Sequence, residues 1–176
     1  MKLIFDVETN GFKNCSVLSF SAILLDEEDE VFLTINRYYH PNEGEKDDLK
    51  AQNINGLTRE AIETKRQGVY YPLHFKDDKE LAHLFESADT LIAHNIEFTL
   101  SHILANFNID LSKKKLFCTM QHYSLAAMPW PKLSEAVEFF NIDAEKIKRA
   151  TGLDYHSSLF DVHCTLALYK KLRLEA

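Results

Sequence analysis

Phe5-Asp6-Val7-Glu8-Thr9-Asn10-Gly11 is the stretch from which the fold of this chain is read. Residues 2–7 are mostly apolar and suit a β-strand, which Asn10-Gly11 would end. Side chains two apart on a strand share a face, with Cα atoms about 6.6–7 Å apart. Asp6 and Glu8 are therefore expected to point together, and Phe5 and Val7 to point into the opposite face. Two carboxylates side by side at a strand end repel each other unless a cation sits between them. Gly11 then lets the chain turn sharply. Solvated acids at a strand end would explain the D-x-E pair alone. Against that, the acids interrupt what reads as a central strand covered on both sides, where unpaired charge is costly.

Outward from this strand, residues 17–25 form a second apolar run. An acidic turn at 26–30 leads to alternating residues at 31–38. Strands joined by so short a turn must run antiparallel. Residues 40–79 are polar and irregular, with helical stretches near 58–65 and 79–86 and a solvated loop at 41–50. A short strand at 90–93 precedes His94-Asn95 and a helical pattern to about Phe107. A further strand is expected at 115–118, then helices at 119–127, 132–141 and 157–174. Antiparallel strands first, then alternating helices and strands, indicate an α/β fold with a mixed sheet covered by helices.

Near the C-terminus, His156-Ser157-Ser158-Leu159-Phe160-Asp161 precedes a strongly apolar run. Ser157 or Ser158 suits a helix N-cap, which puts Asp161 about one turn into the helix and leaves His156 on the loop before it. A rigid carboxylate beside a mobile imidazole suits a metal ligand paired with a general base. A surface histidine, and an aspartate that merely complements the helix dipole, would be the better account of these two residues taken alone.

The bulk composition is compatible with this. A chain of 176 residues, 45% hydrophobic, with 12 Phe and 7 Tyr, supplies one sizeable core, so a single domain over residues 1–176 is expected. The three cysteines (Cys15, Cys118, Cys164) are widely spaced without a C-x-x-C pair, which argues against a zinc site or a disulfide framework. No signal peptide and no apolar run long enough for a membrane span is present, so the expectation is a cytoplasmic protein without membrane contact. The net charge of −7 decides little, because a site that holds cations in a cluster of acids is acidic by necessity.

Taken in order, Phe5 to Gly11, Ala93-His94-Asn95-Ile96-Glu97-Phe98-Thr99 and His156 to Asp161 resemble the three motifs of the DEDD exonuclease family. The histidine five residues before Asp161 resembles the DEDDh (DnaQ-like) branch, which includes the bacterial polymerase III proofreading subunit and ribonuclease T. Asn55-Gly56-Leu57-Thr58 is similar to a stretch common in that branch, with Asn where His is usual. The resemblance covers residues 2 to about 172.

The resemblance implies an RNase H-like, mixed five-stranded sheet, with its first three strands antiparallel and the rest parallel. It also implies a 3′–5′ exonuclease acting on single-stranded DNA or RNA 3′ ends and releasing nucleoside monophosphates. Asp6, Glu8 and Asp161 match the family's metal ligands and His156 its general base. Two ions, Mg²⁺ or Mn²⁺, would sit about 3.5–4 Å apart. A polymerase partner and a homodimer are further possibilities that the family suggests.

Thr99 departs from the pattern, standing where the second motif has Asp. It removes one negative charge, so weaker binding of the second ion and reduced activity are expected. A catalytically silent nucleic-acid-binding or polymerase-associated module is the alternative that Thr99 supports. Glu97 lies about 200° around a helix from Thr99 and is expected to point elsewhere, while His102 and Asp89 are merely near in sequence. Thr9, Gly11, Phe12, Asn95 and Thr99 are the candidate substrate contacts. Phe12 is either a platform for a terminal base or a core aromatic, and Asn95 suits a helix N-cap. Trp130 reads as a loop anchor. Of the basic clusters at 113–115, 146–149 and 170–173, one would track the substrate backbone and the others are solvated surface.

Overall fold

The computed structural model describes residues 1–124 and 130–174. Five strands, β1 (Lys2–Thr9), β2 (Val17–Leu25), β3 (Val31–Tyr38), β4 (Thr90–Ala93) and β5 (Lys115–Cys118), form one sheet in the order β3-β2-β1-β4-β5. β1 pairs antiparallel with β2, and β2 with β3, whereas the β1–β4 and β4–β5 pairs are parallel. The first motif therefore lies on the central strand. Among the described residues, eight α-helices accompany the sheet: α1 (Leu49–Asn55), α2 (Arg59–Lys65), α3 (Lys79–Ser87), α4 (Ile96–Leu104), α5 (Thr119–Ser124), α6 (Leu133–Phe139), α7 (Ala144–Thr151) and α8 (Ser158–Leu174).

The period-2 alternation of β1 and β2 divides the core into two layers. Leu3, Phe5 and Val7, with Phe20, Ala22 and Leu24, pack against Phe85 of α3, Ile103 of α4 and Phe75 and Phe107 nearby. The Phe5 ring meets Phe85 edge-on at 4.9 Å. On the other face Ile4, Ile23, Leu25 and Ile92 pack against Val162 and Tyr169 of α8. Asp6 and Glu8 share that second face, where the strand runs out from beneath α8. All nine residues of β2 are buried, as a strand covered on both sides requires.

Three differences from the sequence expectations have clear causes. The stretch 41–50 is not simply a solvated loop, because α1 begins at Leu49, with Asp48 accepting from the amides of Lys50 and Ala51 and Gly56 closing it in the left-handed region at φ 69°. α7 lies in a segment that gave no helical signal. Neither helix has a fully buried residue and both are short: α7 rests only Ala144 and Ile147 against the core, too few apolar positions to mark a helix in sequence. α4 stops at Leu104, three residues before Phe107, and the expected helix at 119–127 is described as α5 up to Ser124, its last residues lying outside the described ones. Trp130 is exposed rather than buried as a loop anchor would be. Cys118 and Cys164 are buried, Cys15 only partly so, and all three are free. No described helix is long and apolar enough to cross a membrane.

Candidate active site

Strand register builds the carboxylate cluster. Asp6 is opposite Ser21 and Glu8 opposite Ser19, so two small hydroxyl side chains on β2 neighbour the two acids on one face. Ser158, at the start of α8, is hydrogen-bonded to Ser19 at 2.9 Å and to Ser21 at 2.8 Å. This buried serine trio fastens the helix start to the sheet and brings Asp161, one turn later, over β1. Oxygens of Asp6, Glu8 and Asp161 then lie within 4.8 Å of one another. The serines carried a legible signal, since their spacing on β2 puts them on one face, but their partner in α8 lies 137 residues or more away.

This cluster is electrostatically incomplete. Burial, with the charges of Asp161 and Glu8 next, raises the Asp6 carboxyl well above the usual range, against a stabilising hydrogen bond from the Val7 amide. Burial pushes Glu8 up to about 7, partly offset by a hydrogen bond from Asn55. Asp161 rises to about 8, through burial first and the Glu8 charge second. Its Oδ1 is buried without a hydrogen-bond partner. An orphaned oxygen among three crowded carboxylates fits a divalent cation bound by hard oxygen ligands, whose charge would relieve the repulsion.

His156 sits in a left-handed turn, φ 66°, immediately ahead of α8. It lines a cavity of about 320 Å³ together with Glu8, Ser19 and Lys65. The Lys65 ammonium lies over the Tyr38 ring, 4.8 Å from its centroid, at the same cavity. A second cavity, of about 370 Å³, is lined by Glu8, Thr9, Gly11, Phe12, Lys50 and Phe98 among others. Ile54 and Asn55 line both cavities, so the end of α1 divides one groove into two lobes around Glu8.

The dividing wall is what sequence reasoning missed. In sequence Asn55 is only a departure from a family pattern, yet its Nδ2 donates to the Thr9 carbonyl at 3.2 Å and it also bonds Glu8. Side chains distant in sequence hold the preceding segment in place. Glu45 accepts from Asn10 at 2.7 Å and from the Ser16 hydroxyl at 2.5 Å, and the Asp48 amide donates to Asn10 at 3.0 Å. Gly11 faces this segment at φ 141°; a Cβ there would meet Asp48 Oδ2 at 3.4 Å.

The remaining expectations divide. Phe12 is no core aromatic: it is 80% exposed and meets Phe98 edge-on at 6.5 Å. Thr9 is buried and donates to the Gly11 carbonyl at 2.5 Å. Asn95 occupies the N-cap position of α4 in the left-handed region, but its side chain makes no capping hydrogen bond. Neither Asn95 nor Thr99 lines the two lobes. Thr99 is 2% exposed, and its hydroxyl donates to the Asn95 carbonyl at 3.3 Å. No other carboxylate replaces it among the described residues. Glu97 lies at the surface within 3.5 Å of Gln121 Nε2, and Asp89 pairs with the N-terminal ammonium at 2.6 Å. His102 is buried against Phe98 with its Nε2 unpartnered.

No protein-family model matches the chain, and no curated protein matches it in sequence. Solved structures do. A full-length 3′-exonuclease is 15% identical with a TM-score of 0.71, over 99% of this chain and 81% of that one. A 3′-exonuclease described in 3′-end-specific recognition of a histone mRNA stem-loop is 15% identical with a TM-score of 0.69, over 98% of this chain and 62% of the other. The zinc-bound form of an E. coli exonuclease I complex with single-stranded DNA is 18% identical with a TM-score of 0.67, over 99% and 40%. This chain thus spans about two fifths of the length of the exonuclease I chains it matches. What they share with it is the fold: a mixed five-stranded sheet flanked by helices, the RNase H-like architecture of these exonucleases.

Proposed function

We propose that this chain is a metal-dependent 3′–5′ exonuclease of the DEDDh type, which hydrolyses phosphodiester bonds at the 3′ ends of single-stranded DNA or RNA. One observation carries the proposal: Asp6, Glu8 and Asp161 converge within 4.8 Å, and His156 lines the same cavity as Glu8. The fold shared with 3′-exonucleases, two of them named with single-stranded DNA or an mRNA 3′ end, supports it.

Asp6, Glu8 and Asp161 would hold Mg²⁺ or Mn²⁺, ions that suit an all-oxygen ligand set, and the proposal takes two of them. When bound, the ions neutralise charge developing on the phosphate and favour ionisation of the attacking water. The His156 imidazole accepts the proton that this water gives up as it attacks phosphorus. Asn55 orients the Glu8 carboxylate. Phe12, Ile54 and Phe98 offer an apolar lobe in which the terminal base stacks. Lys50 and Lys65, one at each lobe, attract the phosphate backbone. The product is a nucleoside 5′-monophosphate.

Thr99 favours a second reading, a module that binds nucleic acid without cleaving it, because its neutral hydroxyl bonds back to its own helix. Single strands labelled at the 3′ or the 5′ end, incubated with Mg²⁺ or Mn²⁺, separate the two. Early release of the 3′ label, abolished by chelator and by Asp6→Ala, is the expected result. Strands that stay intact while still binding would establish the silent module instead.

A further inference from the structure

Two of the basic clusters noted in the sequence, around Lys146 and around Lys170, come together in space. α7 and α8 pack side by side and leave a groove of about 570 Å³ between them. Ile142, Ile147 and Leu166 contribute its apolar floor, and Lys146, Lys170 and Lys171 stand at its edge. His163 also lines it. That residue lies two positions beyond Asp161, about 200° around the helix, so the groove opens away from the carboxylate cluster.

We propose that this groove docks an acidic peptide segment bearing apolar side chains, supplied by a partner protein. Charge complementarity selects the occupant. The chain as a whole carries −7, yet this groove gathers three exposed lysines, and among the described residues none of the three ammonium groups forms an ion pair. The one acid at the groove, Asp143, is already engaged: it caps α7 by accepting from the Lys146 amide at 2.8 Å and lies 4.0 Å from Arg149. An acidic segment is repelled by most of this surface and drawn to this part of it.

The floor decides between peptide and nucleic acid. A single strand is held by aromatic platforms under its bases, and no Phe, Tyr or Trp lines the groove. Aliphatic side chains from a peptide fit such a floor, while the lysine stems extend the apolar contact and leave their ammonium groups at the rim for carboxylates. The proposal does not depend on the activity assigned to the carboxylate cluster.

The test is selection of a phage-displayed library of random peptides on the full chain. Enriched peptides are expected to combine acidic residues with Leu, Ile or Phe. A fluorescein-labelled copy of the most enriched peptide is then expected to bind about tenfold or more weakly to Lys146→Glu/Lys170→Glu, with higher salt weakening binding to the unaltered chain. Lys113→Glu, at an exposed position elsewhere, is expected to leave the affinity unchanged. Both substituted positions in the double variant are exposed, so circular dichroism is expected to show an intact fold. Absence of enrichment, enrichment of neutral or basic peptides, or affinity indifferent to the charge reversal would overturn the proposal. A charge reversal that instead weakens binding of a single-stranded oligonucleotide would reassign the groove to nucleic acid.

Discussion

The backbone amide of His156 donates a hydrogen bond to Oδ2 of Asp161 at 3.2 Å. The residue proposed to move the proton is thereby tied through its main chain to one of the carboxylates proposed to hold the cation, while its imidazole, near the Asp154 charge, takes no part in that bond. The other oxygen of Asp161 is buried without a hydrogen-bond partner. The two functions can therefore be separated by mutation.

His156→Ala is expected to lower the single-turnover cleavage rate by about 10²–10⁴-fold, the usual worth of a general base. The amide hydrogen bond survives this change, so Mn²⁺ is expected to raise the melting temperature as much as in the unaltered protein. Asp161→Asn is expected to lose both cleavage and the Mn²⁺-dependent rise. Thermal melts with and without Mn²⁺, beside quenched-flow cleavage, read out both quantities.

Thr99→Asp places a carboxylate on α4 at the position where the resembled motif carries Asp. The Mg²⁺ concentration for half-maximal cleavage is expected to fall by about tenfold or more, in line with the effect of groups that support metal ligands. A metal titration of the cleavage rate measures it, and an unchanged midpoint would show that position 99 does not limit ion binding.

Phe12→Ala removes a ring that is 80% exposed, so stability is expected to hold within about 0.5 kcal/mol. Binding of a single-stranded oligonucleotide is expected to weaken by about 1–3 kcal/mol, the worth of one stacked base. Phe5→Ala, on the same strand but fully buried, is expected to do the reverse. It costs about 3–5 kcal/mol in denaturant unfolding by opening a cavity against Phe85.

His94 closes β4 with both ring nitrogens engaged, Nδ1 with the Thr119 hydroxyl at 2.9 Å and Nε2 with the Pro131 carbonyl at 3.0 Å. Burial lowers its pKa, partly offset by the bond to Pro131. A histidine depressed in the folded state binds its proton more readily when unfolded. Its contribution to stability is thus complete above about pH 6.5 and declines as pH falls toward the folded value. Glu8 and Asp161, raised to about 7 and about 8, shift stability in the opposite sense over the same range. Urea unfolding at pH 7.5 and pH 5.5 is therefore read as the difference between the unaltered chain and His94→Gln, with the variant expected to fare better on acidification.

Legibility in the sequence followed the range of the interactions involved. The five strands could be read because alternation and continuous apolar runs are local, and the two-residue spacing of Asp6 and Glu8 determines that they share a face. The turn at Asp26 to Glu30 required β2 and β3 to be antiparallel. α1 and α7 escaped because they are only seven and eight residues long and offer too few apolar positions, in α7 just Ala144 and Ile147 against the core, for a period to stand out. Phe12 is ambiguous in sequence for a related reason: an aromatic beside a glycine turn looks the same whether it faces the core or solvent.

What the sequence by itself determined is the pair of acids on one strand face, the loop histidine ahead of a helical aspartate, and the threonine at position 99. Only the tertiary structure decided that Asp161 reaches Asp6 and Glu8, that Asn55 divides the groove beside Glu8, and that Lys146 and Lys170 edge one surface. Each of these depends on chain segments brought together by burial of a common core and by hydrogen bonds such as those of Ser158 to Ser19 and Ser21. Such pairings are set by packing in three dimensions, and no residue spacing along the chain encodes them.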